Sequence, residues 1–384
     1  MRYVTVLFGD FFKSEKAGGI LLASAAILSL LLVNLEIWPT LPDQLKSYLD
    51  LGVPGLKLSI EHWVNDLFMA IFFLLIGLEL EREIYAGELS VLKKASLPIA
   101  AALGGMLLPA LIHFLFNTGT PTQSGWGIPM ATDIAFALAM LTVLGKKVPT
   151  TVKVFLTALA VIDDLGAILV IAIFYSSGIK WMMLGISLGI WGVLLLLNKL
   201  KVNKLFPYLL GGIAMWYFML QSGVHATISG VLLAFAIPFG NGGAASPSFY
   251  LQHKLHYPVA YFILPVFAFV NTAIVLTPDV FFTADFSNML GIGLGLVLGK
   301  PIGVFLFSVI AIKLGISQLP SGMNYLQVAA TGMLAGIGFT MAIFISLLAF
   351  DDPFYVLQSK MAIIIGSVIS AVFGLLTFQW SFRK

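Results

Sequence analysis

The sequence predicts an all-α polytopic membrane protein with about twelve transmembrane helices and one short β-hairpin outside the membrane. Three observations carry this. Of 384 residues, 59% are hydrophobic and only 10% charged, with a mean hydropathy of +1.01, whereas a soluble domain carries about 25% charged residues. Apolar stretches of about 20 residues, the length that crosses a bilayer about 30 Å thick, recur along the whole chain. The lysines and arginines also segregate, sixteen of 21 falling on the side of the termini, as the excess of cations in cytoplasmic loops requires.

The first apolar run, Ala17 to Val33, follows Lys13 and Lys16 as in a signal peptide. Its length and the many spans after it mark a retained first helix, 12–34. Next comes "LDLGVPGLKLSI", 49–60, two short alternating runs around Pro54-Gly55, which reads as an external β-hairpin. A hairpin edge can pair with another chain, or the hairpin can lie on its own protein. Further spans are expected near 59–80, 95–116, 127–145, 150–175, 180–198, 205–221, 223–239, 256–277, 288–313, 326–350 and 357–380. An even number puts both termini on one side, the cytoplasmic one. Lys46, Lys57, Lys180 and Lys360 are assigned to the opposite side.

Two spans contain helix-breaking residues. "GWGIPMATDIAFAL" sets Gly127 and Pro129 ahead of Thr132 and Asp133, and "GMLAGIGFTMAIF" carries Gly332, Gly336 and Gly338. These are the middle members of two three-helix groups, spans 3–5 and 10–12. Breaks in corresponding positions of two halves point to a transport site at the midplane.

Between Glu88 and Asp279 the acidic residues are Asp133, Asp163 and Asp164, all inside expected spans. A carboxylate in hydrocarbon costs several kcal/mol unless paired, wetted or protonated. Asp164 lies about 21 Å along its helix at 1.5 Å per residue, near mid-bilayer. Lys300, in "GLVLGKPIGVF", is the cation that must lie within a span, and it is the natural partner for one aspartate. A lysine–aspartate pair alone could simply hold helices together; the second carboxylate needs another explanation. Adjacent carboxylates with a hydroxyl and backbone carbonyls supply the hard oxygens an alkali cation prefers. Because the two repel, they also hold protons more readily than an isolated aspartate. A site that takes either protons or a cation becomes an exchanger once it can face both sides.

These residues also carry a family resemblance. "NDLFMAIFFLLIGLELERE", "ATDIAFALA", "ALAVIDDLGAI", "GVHATISGVLLAF", "LGKPIGVF" and "LAGIGFTMAIFI" resemble, in order and over nearly the whole chain, the NhaA-type sodium/proton antiporters, a family of inverted-repeat transporters. The resemblance implies a single transporter domain over 1–384, with inverted repeats at 95–175 and 288–380. Two broken helices would cross at the midplane. It implies a Na+ site of Asp164 and Asp163 with Asp133 and Thr132 around it, and proton and charge compensation by Asp163, Asp164 and Lys300. The expected activity is electrogenic exchange of cytoplasmic Na+ or Li+ for external H+, serving sodium and pH homeostasis, in the inner membrane of a bacterium. A homodimer through the 49–60 hairpin is implied too. Glu79, Arg82, Glu83, His225, His253 and His256 match positions tied to the family's pH response. Read without the family, Glu79, Arg82 and Glu83 are a solvated helix end, and His225 is a polar residue at a helix boundary. Gln252 replaces a glutamate common in relatives, Glu81 replaces a basic residue, and 241–258 is poor in charge.

Other classes fit less well. The chain has no cysteine, so thiol chemistry is absent, and no basic–aromatic stretch suggests nucleic acid. His113, His253 and His256 have no metal-site spacing. An intramembrane aspartyl protease needs aspartates on facing helices, and a retinal-type pump has seven spans. No enzyme activity and no cofactor are expected, only membrane lipid around the chain. A sodium-coupled symporter of a small solute is the alternative.

Overall fold

A computed structural model describes residues 2–176, 178–244, 246–276 and 286–382. Arg383, Lys384, Asp279 and residue 277, at the end of the ninth expected span, lie outside these. The chain is helical almost throughout. α1 is Arg2–Asn34, α2 Ile60–Tyr85, α3 Leu92–Asn117, α4 Ile134–Val143, α5 Thr150–Phe174, α6 Trp181–Lys199, α7 Leu205–Ser222 and α8 Ile228–Ala236. α9 runs over 247–271, α10 is Ser287–Lys313, α11 Tyr325–Ala335, α12 Phe339–Ala349 and α13 Pro353–Ser381. Among the described residues, eight helices are long and apolar enough to cross a membrane, and α11 with α12 makes a ninth span bent by 47°.

Helix starts follow local chemistry. Ser246 accepts the Phe249 N–H ahead of Pro247, and Asp352 accepts the Phe354 N–H ahead of Pro353. Proline suits the first turn because the N–H it lacks has no helical partner there. Asn324 and Gln327 form a reciprocal capping box on α11. Wide turns with i→i+5 bonding interrupt α2 at Val64–Phe68, α9 at Val259–Ile263 and α10 at Gly295–Gly299.

The chain divides into two compact units. One comprises Met1–Ser24, Val91–Ala167 and Ile274–Lys384, the other Ala25–Ser90 and Ile168–Ala273. The second unit has a core of Leu74, Leu78, Leu194, Tyr208, Met215, Leu233, Ala234 and Leu251 from α2, α6, α7, α8 and α9. α2 and α9 are tied along their length. Asn271 donates to Asn65 at 2.7 Å, the Phe68 and Phe262 rings lie 5.7 Å apart, and Ser248 donates to Glu81 at 2.9 Å. Also in this unit, Tyr48–Asp50 (β1) pairs antiparallel with Lys57–Ser59 (β2), Tyr48 opposite Ser59. Gly55 takes φ +79° in the connection, a backbone that favours glycine. The Pro54 carbonyl accepts from Tyr217 at 2.9 Å and Gln221 at 3.0 Å, while Tyr48, Leu49 and Leu51 stay exposed.

In the first unit α3 and α10 meet backbone to backbone: a Cβ on either Gly104 or Gly303 would collide with the other's carbonyl. Lys360, assigned to the side opposite the termini, lies buried within α13, which begins at Pro353 rather than 357. α9 likewise begins at Pro247 rather than 256.

Candidate functional site

The first unit contains a cluster of buried charges at two interruptions of helix. The run Gln123–Met130 is a 3-10 helix that ends where Ala131 turns extended, and α4 begins only at Ile134. Between α11 and α12 the chain is non-helical at 336–338. Each break leaves helix ends with unsatisfied N–H or C=O groups inside an apolar bundle, and the polar residues there answer them.

Asp133 answers the amide ends. Its Oδ1 accepts the Phe136 N–H at 2.9 Å, capping α4. Its Oδ2 accepts the Thr340 N–H at 3.1 Å and hydroxyl at 2.5 Å, in the first turn of α12. One carboxylate thus offsets the positive ends of two helices. The two breaks are also joined directly: Asp133 N–H donates to Ile337 O at 2.7 Å, and Thr132 Oγ1 lies 2.9 Å from Ala335 O.

Lys300 answers a carbonyl end. Its Nζ donates to Met130 O, the last carbonyl of the 3-10 run, and to Asp163 Oδ2 at 2.7 Å. Lys300, Asp163 and Asp164 are each 0% exposed, so the pair forms without competing water. Asp164, next along α5, adds its charge to the field at Lys300. A cation beside two adjacent carboxylates neutralises one of the two negative charges. The remaining charge can be balanced by a proton or a small cation, and burial makes leaving it uncompensated costly.

The sequence singled out Asp163, Asp164, Lys300, Thr132 and Asp133, and the structure gathers all five in one unit. Thr340, the Met130 and Ile337 carbonyls, and Ser367, whose Oγ accepts the Phe339 N–H at 3.2 Å, were missed. The available signal was "GFT" in the second interrupted span, the counterpart of "ATD" in the first. Thr157, on the face of α5 that carries Asp164 two turns later, has a buried hydroxyl with no hydrogen-bond partner among the described residues.

The six further residues lie in the second unit. Glu79 is buried beside Gln252, and Glu81 is buried and accepts from Ser248, so this end of α2 is covered by α9 rather than solvated. Arg82 and Glu83 approach to 3.4 Å. His225 Nε2 is 2.8 Å from Tyr175 O. His253 is exposed and His256 half-buried on the polar first turns of α9, ahead of the apolar run from Val259.

The family described as Na+/H+ antiporter 1 matches residues 9–378. A Na(+)/H(+) antiporter NhaA of Flavobacterium psychrophilum is 55% identical over 382 residues, covering 99% of this chain and 98% of its own. The protein of that name in Cytophaga hutchinsonii is 57% identical over 381 residues, covering 99% and 97%, and that of Vibrio parahaemolyticus is 46% identical over 379, covering 98% and 97%. With such matches running from end to end, the chain belongs to the Na+/H+ antiporter 1 family.

Proposed function

We propose that the chain is a membrane antiporter exchanging Na+ for H+. The observation that carries this is the fully buried Asp163–Lys300 pair with Asp164 beside it, set at helix breaks within an apolar bundle. Asp164 and Asp163 take the cation, with Thr132 and Asp133 around it and Lys300 returning to Asp163 when the site is empty of cargo. Protons and Na+ compete for the same oxygens, so loading one displaces the other, and reorientation of the loaded site moves them in opposite directions. With more than one proton entering per Na+, exchange is electrogenic and driven by the proton gradient. Li+, smaller and equally hard, is a second cargo.

The same reading extends to architecture. Counting α7, α8 and α9 with the nine longer spans gives twelve, with 95–175 and 288–380 as inverted repeats whose broken helices cross. The termini are cytoplasmic, the membrane is the bacterial inner membrane, and a second copy docks through 49–60. Glu79, Arg82, Glu83, His225, His253 and His256 serve the pH response. No covalent chemistry and no cofactor are needed.

Fluorescence dequenching in everted vesicles with a pH probe tests this. Na+ and Li+ should release the quench and K+ should not, since a larger ion fits a tight carboxylate site poorly. No response to Na+ without an added organic solute would favour a symporter instead.

A further inference from the structure

We propose that His113, with Asn288, is a positioning residue for Lys300: it fixes the register of α10 against α3 and so holds the ammonium on Asp163. The functional half of this rests on the antiporter reading; the structural half does not.

His113 and Asn288 are both fully buried, one on α3 and one in the first turn of α10. Asn288 Nδ2 donates to Ser359 Oγ at 3.1 Å, and that hydroxyl in turn donates to Tyr355 O at 2.7 Å. The Asn288 oxygen therefore faces His113 Nε2, 3.2 Å away, and accepts its N–H. One turn further along α3, Asn117 Nδ2 donates to Ser287 O at 3.2 Å and to His113 O at 2.8 Å, and its Oδ1 accepts from Thr122 at 2.7 Å. His113 Nδ1 has no hydrogen-bond partner among the described residues. A buried acceptor left bare weakens a fold, so stability alone does not account for an imidazole here. Buried polar pairs can set register where apolar packing leaves it loose.

From this anchor to Lys300 the contact is made through glycines. Gly291 packs on His113 and Asn117, Gly295 on Pro129 and Pro109, Gly299 on Pro109 and Ile112, and Gly303 on Gly104. These contacts are backbone, ring and alkyl surfaces that leave no room for a Cβ, but they carry no hydrogen bond between the two helices. Residues spaced by four on an α-helix drift about 40° per step, about 120° over this stripe. The wide turn at Gly295–Gly299 admits one extra residue and withdraws about 100°, so all four glycines stay on α3. Lys300 follows that turn directly. Its 2.7 Å bond to Asp163 does not survive a slip of one residue, 1.5 Å of rise. The close glycine contacts oppose such a slip sterically, and the specific ties at 113–288 and 117–287 add directed hydrogen bonds that hold the register.

His113→Phe keeps a flat ring and removes the donor; His113→Gln restores a donor toward Asn288 Oδ1. In reconstituted vesicles His113→Phe should raise the apparent KM for Na+ about tenfold, the usual scale for losing an outer support of an ion site, with little change in maximal rate. His113→Gln should recover most of it. Thermal unfolding of the purified single and double variants with Asp163→Asn gives a readout independent of transport. Coupled losses are expected, although the two sites are too far apart to touch. An unchanged KM in His113→Phe, no rescue by glutamine, or strictly additive thermal losses would overturn the assignment.

Discussion

Replacing Lys300 by alanine removes a cation from a site where it, Asp163 and Asp164 are all 0% exposed. Two interactions disappear: the 2.7 Å bond to Asp163 and the bond to the Met130 carbonyl. Breaking a buried pair by removing one partner costs about 3–5 kcal/mol, because the other charge is left uncompensated. Met130 O adds about 1–3 kcal/mol as a buried acceptor without its donor. Asp163→Asn in the Lys300→Ala background removes the stranded carboxylate, so it should recover about half of the loss. The coupling should therefore exceed about 2 kcal/mol, because that recovery is added to the loss that Asp163→Asn alone causes by stranding Lys300. Thermal unfolding of the purified protein and the three variants in one detergent measures it. Additivity to within about 0.5 kcal/mol would mean that the two residues do not act as a pair, and the charge balance drawn for the site would fail with it.

Thr340→Val removes the hydroxyl donated to Asp133 at 2.5 Å; a loss of about 1.5–3 kcal/mol is expected for a hydrogen bond to a charged group, with slower exchange at unchanged Na+/Li+ preference, read by thermal unfolding and vesicle assays. Deleting 49–60 should convert dimer to monomer with transport retained, since the site lies in one chain and the strands are exposed; a deleted variant that stays dimeric by light scattering refutes the contact. Gln252→Glu sets a second carboxyl against Glu79 and should steepen or move the pH profile of exchange without altering ion selectivity. Identical profiles from neutral to alkaline pH would make position 252 a bystander.

What was legible in the sequence was what hydrocarbon makes expensive. Asp163, Asp164 and Lys300 stand out because an ionised group inside an apolar run demands a reason, and the long apolar runs follow from bilayer thickness alone. Uncharged polar residues carry no such flag. Thr340, Asn271 and the His113–Asn288 pair read as ordinary members of their spans, and only the tertiary fold shows what each one bonds. The burial of Glu79 and Glu81 was hidden for another reason. A cluster of charges at a helix end normally meets water, and only the early start of α9 covers it. Ser246 followed by Pro247 was the signal for that start, obscured by the polar composition of "SFYLQHKLHYP". The wide turn in α10 has no residue signature of its own, although the four-residue glycine spacing it serves is plain to read.

In the exchange proposed here, one buried pair of carboxylates holds protons and Na+ in competition. Adding Na+ to purified protein in weakly buffered detergent, with a pH indicator, reads that competition without transport or a membrane. Wild type should release protons on adding Na+ and none on adding K+, and Asp164→Asn, which keeps the shape of the site and removes a titrating oxygen, should release none with either ion. Proton release that persists in Asp164→Asn, or that is absent from wild type, would contradict the account.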